Sequence, residues 1–341
     1  MPPSTANNCT GNPNYTAESG TSLAIQVVIC ETQPRLLSGL ILTGNPTLDV
    51  TAVAATVAGT GTSCVLSLGT NANPGVSVSG SKTVVNSGSC DIVSDSTSVN
   101  GNGAINISGG ATVTTPCLVS VGADTGTGNA TLNLTKCTTA TNGAASVPDP
   151  FASVPQPAQP TTTGSCAAVN GNNNNLNCTP GYYSQQLNTN AMVTFQPGLY
   201  YFGQGFQVSG GSATGTAVTF FIATSQTAAV SGNASVSFSA PTAANCTSST
   251  CLYVGIVFFG SRNSTNGNNN FSGGSSSAIA GAIYFPTQEI SFTGGSTTSY
   301  TACTQIVAST ITISGQAQFG DTCNPGPSFN DGSPGTIQLV Q

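Results

Sequence analysis

The sequence predicts an all-β protein built as a right-handed parallel β-helix, a solenoid, with a small N-terminal strand–helix–strand module. Three observations predict it. A short phrase keeps returning, with apolar residues at alternate positions, then a small hydroxyl residue, then glycine. It reads VSVSG at Val76–Gly80, INISG at Ile105–Gly109, FQVSG at Phe206–Gly210, AAVSG at Ala228–Gly232, NNFSG at Asn269–Gly273, ISFTG at Ile290–Gly294 and ITISG at Ile311–Gly315. In the second half its glycines sit 22, 41, 21 and 21 residues apart, and 41 is close to two steps of 21. A period near 20 residues marks a stacked repeat, and the two-residue alternation makes each copy a strand. The third observation is composition: only 4% of residues are charged, and Ser, Thr, Asn and Gly stand in their place.

The elements follow in order. Residues 1–20 are polar and irregular. Ser22–Cys30 reads as a strand, Pro34-Arg35-Leu36-Leu37 opens a short helical segment with proline at a favoured first position, and Asn45-Pro46 breaks it. Thr47–Val57 reads as a second strand, which completes a module or cap over residues 1–60. A first β-helix stretch covers 61–137, with short strands such as CVLSL, CDIVS and CLVSV between Gly/Asn/Ser turns. Residues 138–165 then set Pro148, Pro150, Pro155, Pro157 and Pro160 close together. That density forbids strand ladders and favours an extended crossing, a linker or a strap along the outside of the coil. The main β-helix stretch covers 166–341 and holds the largest apolar residues. Its continuous runs YVGIVFF and GAIYF suit strands buried on both sides. Glycine after each strand supplies the positive φ a corner needs, and Ser, Thr and Asn bond their own backbone at turns.

Composition also excludes function classes. A net charge of −6 with no basic cluster leaves no footprint for nucleic acid, and no polybasic anchor for an anionic membrane. No apolar run approaches the roughly 18 residues that span a bilayer. Twelve cysteines and no histidine favour disulfides in an oxidising compartment over zinc. The disulfide candidates are Cys9, Cys30, Cys64, Cys90, Cys117, Cys137, Cys166, Cys178, Cys246, Cys251, Cys303 and Cys323. Nearest-neighbour pairing is the simplest scheme, and polar loops favour it for Cys246–Cys251 and Cys166–Cys178. The start Met1-Pro2-Pro3 lacks a basic segment followed by an apolar stretch, so the chain reads as a mature form or an expressed fragment.

Chemistry is sparse. Without histidine, serine has no ordinary base; Lys82 and Lys136 are candidates only as unusual ones and read as exposed turn residues. Parallel β-helices can host polysaccharide-cleaving enzymes with paired carboxylates. The nearest cluster is Asp91, Asp95 and Asp124, the first two four residues apart and able to share a strand face. Asp321, Asn324, Asn330 and Asp331 could supply oxygen ligands to calcium, with turn and cap roles preferred. No cofactor is expected. Thr112-Val113-Thr114 and Thr310-Ile311-Thr312 fit the T-x-T rows that order water on ice-binding faces, although such rows do not recur in every coil.

Several segments together resemble the C-terminal region of TadG-like proteins, bacterial pilus-assembly proteins of the Flp/Tad tight-adherence system. These are Thr32–Leu37, Cys64–Leu68 followed by VSVSG, Cys90, INISG and CLVSV, and Asp149-Pro150-Phe151 through Pro155. Further on they are Pro197–Phe202, Gly255–Asn263, Gly281–Pro286 and Thr304–Gly315. The similarity runs over roughly residues 20–320, without that family's N-terminal transmembrane helix. It implies an envelope or surface protein linked to adherence pili and supplies no catalytic residues. The expectation is therefore a non-catalytic structural or adhesive protein, extracellular or in the envelope of a bacterium. Its partners would be pilus or envelope proteins, surface glycan, or further copies joined through β-helix ends. The alternatives are a carbohydrate-active β-helix enzyme and a glycan- or ice-binding adhesin.

Overall fold

The computed structural model describes residues 63–320, apart from 127, 265–266, 273–276 and 295–302. It also describes the backbone of the strands Ala24–Thr32, Thr47–Gly59 and Ser333–Leu339. The protein is all-β, with a large and mostly parallel sheet. The one helical element among the described residues is a 3-10 turn, Cys251–Tyr253. The chain divides into two units, residues 1–60 with 333–341, and residues 61–332.

In the smaller unit Ala24–Thr32 pairs antiparallel with Thr47–Gly59, which pairs antiparallel on its other edge with Ser333–Leu339. The expected strands are present. The helical segment expected after Pro34 lies outside the described residues. The last strand is a correction: expected to end the main coil, Ser333–Leu339 joins the N-terminal sheet instead.

In the larger unit most strands pair in parallel with the strand three places further along the chain, so three successive strands make one tier and the tiers build three ladders. All seven copies of the glycine phrase fall on one of these, the second ladder. There Ile290 faces Ile311, Ile311 faces Val76, and Val76 faces Ile105. Each copy carries its apolar residues inward by the strand's two-residue period. Glycine closes the phrase because consecutive copies nearly touch at the corner. Gly80 has φ +109, and a Cβ there would lie 2.9 Å from the Gly315 carbonyl oxygen. A Cβ on Gly315 would lie 2.6 Å from that of Gly294.

The order of tiers differs from the order of sequence. Tiers at 172–189, 192–208, 212–230, 235–271, 278–294 and 304–320 stack in turn, and the tier at 63–86 lies on the last of them. Ile306 pairs with Val65, Ile311 with Val76, Ile313 with Val78 and Phe319 with Val85. Tiers at 91–115 and 118–134 follow. The chain thus climbs three tiers, returns along the outside, and climbs six more until it meets its own first tier. We call the 304–320/63–86 junction the seam.

The spacing of 41 is likewise a single step. Val230 and Phe271 are direct register partners. The tier between them is enlarged by the segment Pro241–Gly255, which carries the 3-10 turn and the Cys246–Cys251 disulfide.

Inward side chains from all three ladders form one core. Its lower tiers are aromatic: Phe220 packs against Phe195 at 5.0 Å, Phe258 at 5.2 Å and Phe206 at 5.4 Å between ring centroids. Beyond the seam the same positions hold Val65, Val76, Val78, Ile92 and Ile105. Tyr200 is fully buried among the rings, and its hydroxyl lies 2.8 Å and 2.9 Å from the carbonyl oxygens of Gln196 and Cys178. A buried phenol needs such a partner.

Candidate functional site

The return segment, 138–165, is a strap along the first ladder. Through its middle that ladder is buried on both faces; every residue of Val218–Ile222 and of Ile256–Gly260 is buried. Leu66, Val93, Phe221, Phe259, Tyr284 and Val307 form its outer layer and pack with Val147 and Phe151 of the strap. The strap also meets both ends of the ladder. Thr141 exchanges backbone hydrogen bonds with Leu118 and Ser120 at one end, and Thr162 and Gly164 bond Tyr182 at the other.

Two polar anchors hold it. Arg262 follows the buried run Ile256–Gly260, and its side chain stays beside the strap. Its Nη1 donates to the Val154 carbonyl at 2.8 Å, Nη2 to the Phe151 carbonyl at 2.6 Å, and Nε to the Tyr284 hydroxyl at 3.0 Å. The Tyr284 hydroxyl donates to Asp149 Oδ2 at 2.7 Å, while Asp149 Oδ1 accepts from the Phe151 backbone N–H at 2.9 Å. The Gln156 side chain accepts from the Arg262 backbone N–H. The guanidinium also lies 5.0 Å from the centroid of Phe259 and 5.4 Å from that of Tyr284. A planar fork that bonds two carbonyls while stacking on rings is a task for arginine, not lysine. Burial pushes the Tyr284 hydroxyl well above the usual phenol range, and the Asp149 carboxylate adds to it, against the opposing charge of Arg262. It remains a donor throughout the physiological range.

The second anchor is Asp95, only 4% exposed, whose Oδ1 accepts from the Val147 backbone N–H at 2.8 Å. Burial raises its carboxyl from 3.8 to about 6, partly offset by that hydrogen bond.

The three expected carboxylates do not converge. Asp91 opens the strand Asp91–Ser94, and Asp95 lies beyond its far end. Asp124 sits on the second ladder, opposite Ile105. No group of three or more His, Cys, Asp or Glu that could hold a metal occurs among the described residues. Lys82 and Lys136 are exposed. The calcium candidates Asp321, Asn324, Asn330 and Asp331 lie outside the described residues. Thr112 and Thr114 face Val84 and Asn86 on one side and Thr131 and Asn133 on the other. Thr310 and Thr312 face Glu289 and Ser291 on one side, and Thr312 faces Ser77 on the other, so the T-x-T pair does not recur in a neighbouring tier.

Disulfides join Cys64 to Cys90, Cys117 to Cys137, Cys166 to Cys178 and Cys246 to Cys251, all neighbours in cysteine order. The first ties two adjacent tiers, and the third closes an antiparallel hairpin over the lower end of the third ladder. Cys303 is disulfide-bonded as well, to a partner outside the described residues. Cys9, Cys30 and Cys323 have no described side chains. No helix is long and apolar enough to cross a membrane among the described residues.

The residue pattern alone assigns Arg262, Asp149 and Tyr284 no role. The usable signal was scarcity, since Arg262 is one of four basic residues and follows a run buried on both sides. No known protein family, characterised protein or solved structure matches this chain.

Proposed function

We propose that this protein is a non-catalytic structural or adhesive element of a bacterial cell surface, in which the three ladders are the sides of a right-handed parallel β-helix. A right-handed crossover is the strongly preferred hand for parallel strands. The observation that carries the reading is the use made of the few charged groups. The buried Asp95 and the ring-stacked Arg262 both hold the strap, and Asp149 is engaged with them through Tyr284. The second ladder meanwhile carries a register row of uncharged polar residues, Asn270, Ser291, Thr312, Ser77, Asn106 and Thr125, of which Ser291 and Asn106 are buried and Thr312 donates to Glu289 Oε1. Such a scaffold suits contact more than turnover.

The disulfides support an oxidising location, extracellular or in the envelope. The TadG-like reading specifies a tight-adherence pilus apparatus and rests on the sequence motifs. Three of those motifs, around Asp149, Arg262 and Tyr284, meet at the strap anchor. The test is surface labelling of intact cells carrying the tagged chain, with adhesion compared with and without it. Labelling and chain-dependent adhesion or pilus assembly are expected. A chain confined to the cytoplasm, or purified protein that cleaves a surface polysaccharide, would refute the reading; loss of that cleavage in Asp91→Asn would favour the enzyme.

A further inference from the structure

The strap divides the chain into two lobes, residues before 138 and residues after 165. Two sets of strand pairings join these lobes directly. One is the seam, where 304–320 lies against 63–86 on all three ladders. The other lies in the smaller unit, where Ser333–Leu339 pairs with Thr47–Gly59. Both join the end of the second lobe to the start of the first.

The strap itself is divided at the same place. Val147 is held by Asp95 of the first lobe, whereas Asp149 and Phe151 are held by Tyr284 and Arg262 of the second. By these hydrogen bonds, the peptide Val147-Pro148-Asp149 crosses from one lobe's grip to the other's. It passes from the level of tier 91–115 to that of tier 278–294, three steps of about 4.8 Å. Two residues extend no more than about 7 Å, so the reach is completed by the anchoring side chains. The crossing is short, and proline keeps the residue before it extended.

We propose that Val147–Asp149 is the hinge of a domain-swapped dimer, in which the second lobe of one copy closes the seam with the first lobe of another. The occupant is a second copy because the two seam surfaces already fit one another, and exchange makes the same pairings between chains. Ser333–Leu339 exchanges with its lobe and becomes a strand donated to the partner's N-terminal sheet. A short hinge favours exchange, since it leaves the two lobes of one chain little freedom to close on each other. This inference rests on the reading of the protein as a building block and supplies its partner, a second copy.

The test uses the full chain with disulfides intact, refolded from guanidinium at about 1 µM and about 200 µM. Mass is then read by light scattering after size exclusion. The wild type refolds as monomer at the low concentration and yields a dimer fraction at the high one. That dimer survives dilution and reverts only after unfolding. Deleting Pro148 shortens the hinge and raises the dimer fraction roughly tenfold; Pro148→Gly loosens it and lowers the fraction. Hydrogen exchange finds the seam strands 63–67 and 304–308 as protected in the dimer as in the monomer. The proposal is overturned by a wild type that stays monomeric at the high concentration, by a Pro148 deletion that refolds without added dimer, or by a Pro148→Gly fraction equal to wild type. Dimers that dissociate on dilution overturn it too. Failure of cell-surface labelling would leave this measurement on purified protein unaffected, so the two readings fail separately.

Discussion

Replacing Asp95 by asparagine should make the protein more stable above neutral pH and leave it unchanged in acid. The carboxyl is buried beneath the strap, with its Oδ1 2.8 Å from the Val147 N–H. Burial raises it from 3.8 in the unfolded chain to about 6 in the folded one. The folded state therefore holds a proton that the unfolded state releases between these values, and stability falls as pH rises through that window. Below about 3 both states are protonated and the group costs nothing; above about 6 the folded state bears the whole cost of a buried anion. At about 1.4 kcal/mol per pH unit, and discounted for solvent at the strap's edge, that cost is roughly 2 kcal/mol. Asparagine keeps an oxygen that can accept from Val147 and carries no charge. Urea unfolding of both proteins across pH 4–8, disulfides intact, reads the difference, and the subtraction cancels the titration of other carboxylates. The expected curves lie close together near pH 4, still converging towards acid, and separate to roughly 2 kcal/mol in favour of Asp95→Asn by pH 8. Parallel curves, or a less stable mutant at pH 8, would show that the carboxylate is not buried beneath the strap.

Two further perturbations test the stacking. Gly80→Ala places a Cβ 2.9 Å from the Gly315 carbonyl at φ +109; a loss of about 1–2 kcal/mol or more is expected, read by thermal unfolding, and a neutral outcome would remove the corner argument. Removing the Cys64–Cys90 bridge as a double serine variant should cost about 3.5 kcal/mol, against about 2 kcal/mol for Cys246–Cys251, because the closed loops differ in length. Their sequence separations are 26 and 5 residues. Equal losses in urea unfolding would mean that chain entropy does not govern these bridges.

The local grammar of the fold is legible in the residues. Alternation places strands, the glycine after each phrase places corners, and proline density places the strap, because all three act within a few residues. The runs through Phe221, Phe259 and Tyr284 announce a ladder covered on its outer side, although not by what. Order along the stack is not legible. Val76 and Ile311 pair across a separation of 235 residues, and seven of the nine tiers carry the same phrase, so the pattern fits several stacking orders equally well. The spacing of 41 misleads for a related reason: period arithmetic cannot distinguish a missing repeat from a tier enlarged by Pro241–Gly255. The carboxylates show the limit at a site. Four-residue spacing lets Asp91 and Asp95 share a face only while the strand lasts, and it ends at Ser94, which leaves Asp95 to meet the strap.

Spin labels at Thr125 and Asn188, measured in the monomer by pulsed electron resonance, test the tier order most directly. These residues lie on the second ladder in tiers consecutive in sequence but at opposite ends of the stack. Eight steps of about 4.8 Å put them about 38 Å apart. A stack wound in simple sequence order would place them in adjacent tiers, about 5 Å apart at the backbone. A distribution centred near the longer distance is the predicted result, and a short distance dominated by label length would contradict it.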